Sequence, residues 1–201
     1  MGKSEEKRQL IVSRAALLFN EKGLAGTSVD DIIDATGTSK GCFYGHFESK
    51  EALSFVAVDY LLEKLTERRR LSLAKHKKAF DRISSFMELT KNPLKSYFDG
   101  GCPIVNLSTE SDDTNPVIKE KMKKMITAAI TEFTEVLLSG IATGEFSSLL
   151  DAKEFATKMF LSIEGANAIC RVLGTAAPMQ MLTSSLKKEL AGYLVQNQMG
   201  D

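Results

Sequence analysis

The sequence predicts an all-α protein, with an N-terminal three-helix helix-turn-helix domain and a larger helical domain behind it. Three observations predict this. Four prolines in 201 residues leave room for long helices. Few segments alternate apolar and polar residues as strands do. Ser, Thr, Asp and Asn repeatedly stand just ahead of apolar residues spaced i, i+3, i+4, the pattern of a capped helix with one buried face.

Residues 4–22 form the first expected helix, with Leu10, Ala15, Leu17, Leu18 and Phe19 on its buried side and Gly23 at its end. The most informative stretch follows, TSVDDIIDATGTSKGCFYGHFESK from Thr27 to Lys50. Ser28 caps a second helix, and Asp30 and Asp31 lie in its first turn, where the helix dipole favours negative charge. Val29, Ile32 and Ile33 make its apolar face, and Gly37 stops it in a left-handed conformation that glycine adopts without steric cost. Thr38 or Ser39 caps a third, short helix carrying Phe43 and Phe47 at i, i+4, and Ser49 caps the next. This is a helix-turn-helix layout, whose second helix enters the DNA major groove.

A long helix is expected from Lys50 to about Ala74, its far end EKLTERRRLSLAKHKK charged and solvated. Another spans 77–90 and is interrupted at Asn92 and Pro93. In GGCPIVNLSTE, Pro103 suits the first turn of a helix. Asn115 and Pro116 start an amphipathic helix to about Gly140, and Phe146 docks the turn after it. Asp151 caps a helix over 152–173, and Pro178 opens a last one to about Asn197.

Composition narrows the function classes. Hydrophobic residues at 43% and charged residues at 26% describe an ordinary globular protein. Cys42, Cys102 and Cys170 are spaced for neither a disulfide framework nor a zinc site. No leader and no apolar run long enough to span a bilayer is read, so a cytoplasmic location without membrane partners is expected. With 26 basic and 26 acidic residues, positive charge for DNA has to be placed locally, at Lys3, Lys7, Arg8, Lys40 and Lys50. Weak non-specific DNA affinity follows, and specific binding relies on a dimer presenting two recognition helices. No Ser-His-Asp set, carboxylate pair, metal cluster or cofactor motif argues for an enzyme, and only two histidines exist.

The helix IVSRAALLFNEKG, the segment LAGTSVDDIIDATGTSKGCFYGHF and the following SKEAL resemble the DNA-binding domain of the TetR (tetracycline-repressor) family. GGCPIVNLSTE is similar to a G-C-L-x-x-N-L-x-x-E element of one branch of that family, marked here by Gly101-Cys102, Asn106, Leu107 and Glu110. The resemblance implies a DNA-reading domain at 1–48 and a helical ligand-binding and dimerisation domain at 49–201. It implies that Tyr44 and His46 touch DNA backbone or base edges. Lys40, Gly41 and Cys42 take the base-reading positions, with Thr38, Ser39 and Gly45 beside them. Cys42 stands where the family often has Thr, and Gly45 where it often has a bulky aromatic. Lys50, Thr27 and the Ser28 helix start are expected to meet phosphates, although Ser28 also serves as a cap. Cys42 reads equally as a small apolar filler.

Cys102, at an expected helix start, is either a thiol sensor or a packed core residue. Phe86, Tyr97, Phe98, Met125, Phe133, Met159 and Arg171 are candidate pocket residues for a small apolar or electrophilic effector. Phe155, Met159, Ile163, Ala166, Leu182, Leu186, Leu190 and Tyr193 are the candidate homodimer interface, in a four-helix bundle by resemblance. A repressor released from its operator by effector or thiol chemistry is the expectation. An activator of the same fold, or a small-molecule-binding protein or enzyme without a DNA role, is the alternative.

Overall fold

The computed structural model describes residues 2–195. Among them are nine α-helices, one 3-10 turn and a single isolated antiparallel bridge, in keeping with the all-α expectation. The helices are α1 Lys3–Lys22, α2 Val29–Thr36, α3 Lys40–His46, α4 Lys50–Leu73, α5 Ala79–Thr90, α6 Pro103–Ser111, α7 Pro116–Ala142, α8 Ala152–Leu173 and α9 Ala177–Ala191, with the 3-10 turn at Pro93–Lys95. They fall into two compact units, one of residues 1–65 and 96–125, the other of 66–95 and 126–201. The first unit is wider than residues 1–48, because the segment around α6 packs with the N-terminal helices.

In the first unit, Ile11, Ala15 and Phe19 of α1, Ile32 of α2, Phe43 of α3 and Leu53, Ala57 and Leu61 of α4 are wholly buried in one cluster. Burying a phenylalanine stabilises by roughly 1.5–3 kcal/mol, so Phe19 and Phe43 are major anchors. The expected caps form. Ser28 Oγ accepts from Asp31 N while the Asp31 carboxylate takes the Ser28 N–H, a full capping box. Gly37 ends α2 at φ 62°. Of the two candidate caps for α3, Ser39 does the work, accepting from Cys42 N at 3.1 Å. Ser49 caps α4 and Asn115 caps α7 through their side chains.

In the second unit, Phe155, Ala156, Met159, Phe160 and Ile163 of α8 are buried, as are Met179, Leu186 and Leu190 of α9. Phe146 docks as expected, against Gly140, where an added Cβ would lie 2.5 Å from its ring. Glu145 Oε1 and Oε2 accept from Phe80 N and Ala79 N, closing the start of α5, which has no side-chain cap of its own.

Three expectations are corrected. The charged end of α4 is not solvated throughout: Arg69 is 6% exposed and its Nε donates to Glu132 Oε2 at 2.6 Å. The last helix stops at Ala191, because Gly192 ends it and the chain turns to pair with residues 145–147; Asn197 lies outside the described residues. By length and composition α7 is apolar enough to cross a bilayer. One face of it, with Ile118, Met122, Ala129, Phe133 and Leu137, is buried within the protein's own units, and 33% of the apolar window is buried in all.

Two predictions follow from these contacts. Gly140→Val should lower stability by about 1–3 kcal/mol through overpacking against Phe146 and Ala79, read as a lower urea midpoint. For the capping box, Lys22 Nζ and then the Ser28 hydroxyl and amide hold the Asp31 carboxyl well below its ordinary value of 3.8. A depressed carboxylate stabilises the fold above its unfolded pKa and loses that contribution as pH falls through the folded one. Asp31→Asn should therefore melt lower than the parent at neutral pH, with the gap narrowing as pH drops below 3.8.

Candidate nucleic-acid interface

A seven-residue helix such as α3 does not hold its shape alone in water. Phe43 and Phe47 fix it by burial, and that anchoring decides what the rest of the helix presents. Ser39, Lys40, Gly41, Tyr44 and Gly45 are exposed, while Thr38, Cys42 and His46 are half-buried. Tyr44 is 51% exposed, with its ring edge-on to Phe43 at 5.1 Å between centroids. An added Cβ at Gly45 would meet nothing within 4 Å, and one at Gly41 only the Ser39 hydroxyl at 4.0 Å. The outer face of α3 is thus unusually bare, with a lysine and a phenol rising from a smooth backbone surface.

Lys40 is the exposed cation of this face. Its Nζ lies 3.5 Å from Asp30 Oδ1, both side chains well exposed. Such a surface pair contributes little in water, so the ammonium can be exchanged to another acceptor. Arg8 lies over the Phe47 ring, 5.3 Å from its centroid, and its guanidinium therefore flanks the same short helix.

Two of the expected phosphate contacts are corrected. Thr27 is 1% exposed and its hydroxyl donates to the Gly23 carbonyl at 2.7 Å, so it closes a loop and does not face outward. Lys50 turns inward too, its Nζ donating to Leu24 O and Thr27 O at 2.8 Å each. Ser28 is exposed but engaged in the capping box. The Thr38 hydroxyl lies 2.8 Å from that of Thr36. Cys42 packs against the first unit's core as a partly buried neighbour, the filler reading of that position.

The other candidates separate by unit. Cys102 is half-buried at the N-cap of α6, at the helix start expected for it. Phe86 and Phe133 lie 4.5 Å apart in the second unit, where Met159 is also buried. Phe98 and Met125 are buried in the first unit, and Tyr97 is 53% exposed there. Arg171 does not line an interior: it is exposed in the last turn of α8, where a cation suits the dipole. Of the expected dimer residues, Phe155, Met159, Ile163, Leu186 and Leu190 are already buried within one chain, while Ala166, Leu182 and Tyr193 are half-buried. Part of the apolar surface of the last two helices remains outside. Leu161, Gly165, Ile169 and Val172, at i, i+4, i+8, i+11 on α8, are exposed, and so is Met181 on α9.

The polar groups most firmly built into the first unit include Asn106 and Glu110 of the GGCPIVNLSTE element, whose partners sequence reasoning did not foresee. Asn20, Asn106 and Glu110 join the end of α1 to α6 by side-chain hydrogen bonds. Their partners lie about eighty residues away in sequence, beyond the reach of any local spacing rule.

Comparison with known proteins agrees with the fold. The family model "Bacterial regulatory proteins, tetR family" matches residues 11–56, and "Tetracyclin repressor-like, C-terminal domain" matches 79–186. The chain is 30% identical over 171 residues to the HTH-type transcriptional repressor DhaR of Mycobacterium sp. (strain GP1), covering 79% of each. The crystal structure of a TetR transcriptional regulator from Chloroflexus aurantiacus J-10-FL superimposes with a TM-score of 0.91 at 38% identity, covering 96% of this chain and 98% of that one. A cysteine variant of the TetR-family regulator CifR, solved with a 26-bp operator duplex, shares the fold at a TM-score of 0.78 and 20% identity, covering 90% of this chain and 95% of that one. These relatives are named as transcriptional regulators. The chain belongs to the TetR family of helix-turn-helix transcriptional regulators.

Proposed function

We propose that the protein is a homodimeric, cytoplasmic transcriptional repressor of the family branch marked by the G-C-x-x-x-N-L element, and that an effector or thiol modification releases it from its operator. The observation that carries the reading is the bare outer face of α3, with Lys40, Gly41, Tyr44 and Gly45 exposed over a buried Phe43. Lys40 is suited to guanine O6 and N7, Gly41 to close approach at a thymine methyl, and Tyr44 to the sugar-phosphate backbone. Residues 1–48 read the DNA, and 49–201 serve sensing and dimerisation. The naming of DhaR as a repressor and the operator duplex on CifR support this reading.

Two recognition helices have to meet half-sites about 34 Å apart, which a monomer cannot do. The stripe of Leu161, Gly165, Ile169 and Val172 with Met181 supports a self-complementary contact, since five neighbouring positions with little polar character are costly to leave in water. The Phe86–Phe133–Phe160 cluster supports an apolar effector in the second unit. Differential binding of such an effector to a dimer of the wrong span would lower operator occupancy.

Fluorescence anisotropy on DNA upstream of the protein's own gene tests the reading. Tyr44→Ala should weaken binding by about tenfold or more, ~1.4 kcal/mol, with helicity and dimer mass unchanged. Retained affinity would remove Tyr44 and the outer face of α3 from the interface. For the thiol branch, an oxidant should release the parent from DNA and leave Cys102→Ser bound. Release that persists in Cys102→Ser would return that side chain to a packing role.

A further inference from the structure

The loop from Gly23 to Ser28 sets how α2 and α3 leave α1, and it is held from two sides by opposite charges. Glu110 of α6 accepts from Leu24 N and Ala25 N, one carboxylate oxygen to each, at 2.8 Å. Lys50 of α4 donates to the carbonyls of Leu24 and Thr27. The loop's N–H groups thus point at an anion and its carbonyls at a cation. Hydrogen bonds with an ionised partner are about twice as strong as neutral ones.

The α6 side of this grip is built in depth. Asn20, 3% exposed, donates through Nδ2 to Asp99 O at 2.6 Å and Gly101 O at 3.1 Å. Asn106 Nδ2 is shared among Asn20 O, Asn20 Oδ1 and Gly100 O at 3.0–3.2 Å. Two glycines admit the close approach. A Cβ on Gly100, at φ 85°, would lie 2.6 Å from the Asn20 carbonyl oxygen, and one on Gly23 would lie 3.1 Å from both Glu110 oxygens. Packing alone does not require so many matched donors and acceptors.

We propose that Glu110 and Asn106 are positioning residues for DNA reading: they hold the α1–α2 loop, and through it α2 and α3, in the conformation that binds DNA. The proposal rests on the DNA-reading role above. Neither side chain needs to touch DNA. Without them, the competent arrangement is one of several the loop samples, and apparent affinity falls by the fraction of time it is present.

The test uses the full-length protein and a duplex selected from a random-sequence library by the parent. Affinity of the parent, Glu110→Gln and Asn106→Ala is measured across a salt series, beside helical circular dichroism and hydrogen exchange of the DNA-free proteins. Expected is an affinity loss of about tenfold in each variant with an unchanged slope of log Kd against log salt, because no phosphate contact is lost. The Leu24 and Ala25 amides should exchange faster in Glu110→Gln. Removing a negative charge by itself favours DNA binding, so weakening in Glu110→Gln has the sign opposite to simple electrostatics. Asn106→Ala leaves net charge untouched and carries the test should Glu110→Gln misfold. Unchanged affinity in a folded variant, or a loss that comes with a shallower salt slope, would overturn the proposal. A parent that selects no duplex would instead bring down the DNA-reading role itself.

Discussion

The burial of Phe43 is the interaction on which the reader depends. α3 has seven residues and two glycines, too few and too permissive to stay helical without an anchor. Phe43 goes to zero exposure in a cluster with Ile11, Ala15 and Phe19 of α1, and Phe47 follows one turn later. Because those two rings point inward, Tyr44 and Gly45 point outward. The chemistry available to DNA is therefore a by-product of a hydrophobic choice made on the opposite face.

The rest of the first unit satisfies polar groups that this packing brings inside. The α1–α2 loop has backbone donors and acceptors with no helical partner, and a buried orphan of that kind is costly. Glu110 and Lys50 close them from either side, and Thr27 closes the Gly23 carbonyl. This bears on charge: Lys50, counted among the few cations available to DNA, is half-buried and engaged by two backbone carbonyls. Lys40 is left as the cation on the outer face of α3.

Much of the fold was legible because its signals are local. Caps at Ser28, Ser49, Asn115 and Asp151 and the stops at Gly23 and Gly37 sit within four residues of what they act on. The face of α3 was legible for the same reason: Phe43 and Phe47 fix its phase. Arg69, Thr27, Lys50 and Arg171 were misread because the direction of a polar side chain is decided by partners elsewhere in the chain. Arg69 lies in a run that reads as solvated, yet Glu132 of α7 waits for it inside. On α8 the expected dimer positions Phe155, Met159 and Ile163 lie inside the chain's own packing for a related reason. That helix has apolar residues on most of its circumference, and only the structure says which of them α9 covers.

The open space around Gly41 and Gly45 bears on how such a protein could diverge after gene duplication. A Cβ can be added at Gly45 without meeting a neighbour, and at Gly41 it would meet only the Ser39 hydroxyl. An alanine at either position would keep clear of Phe43 and gain helix propensity of about 1 kcal/mol, with smaller gains for other residues. A duplicated copy could therefore acquire a new DNA preference in single steps, each leaving the fold intact or firmer. The glycines make this reader a permissive starting point, from which paralogues can separate without first losing stability.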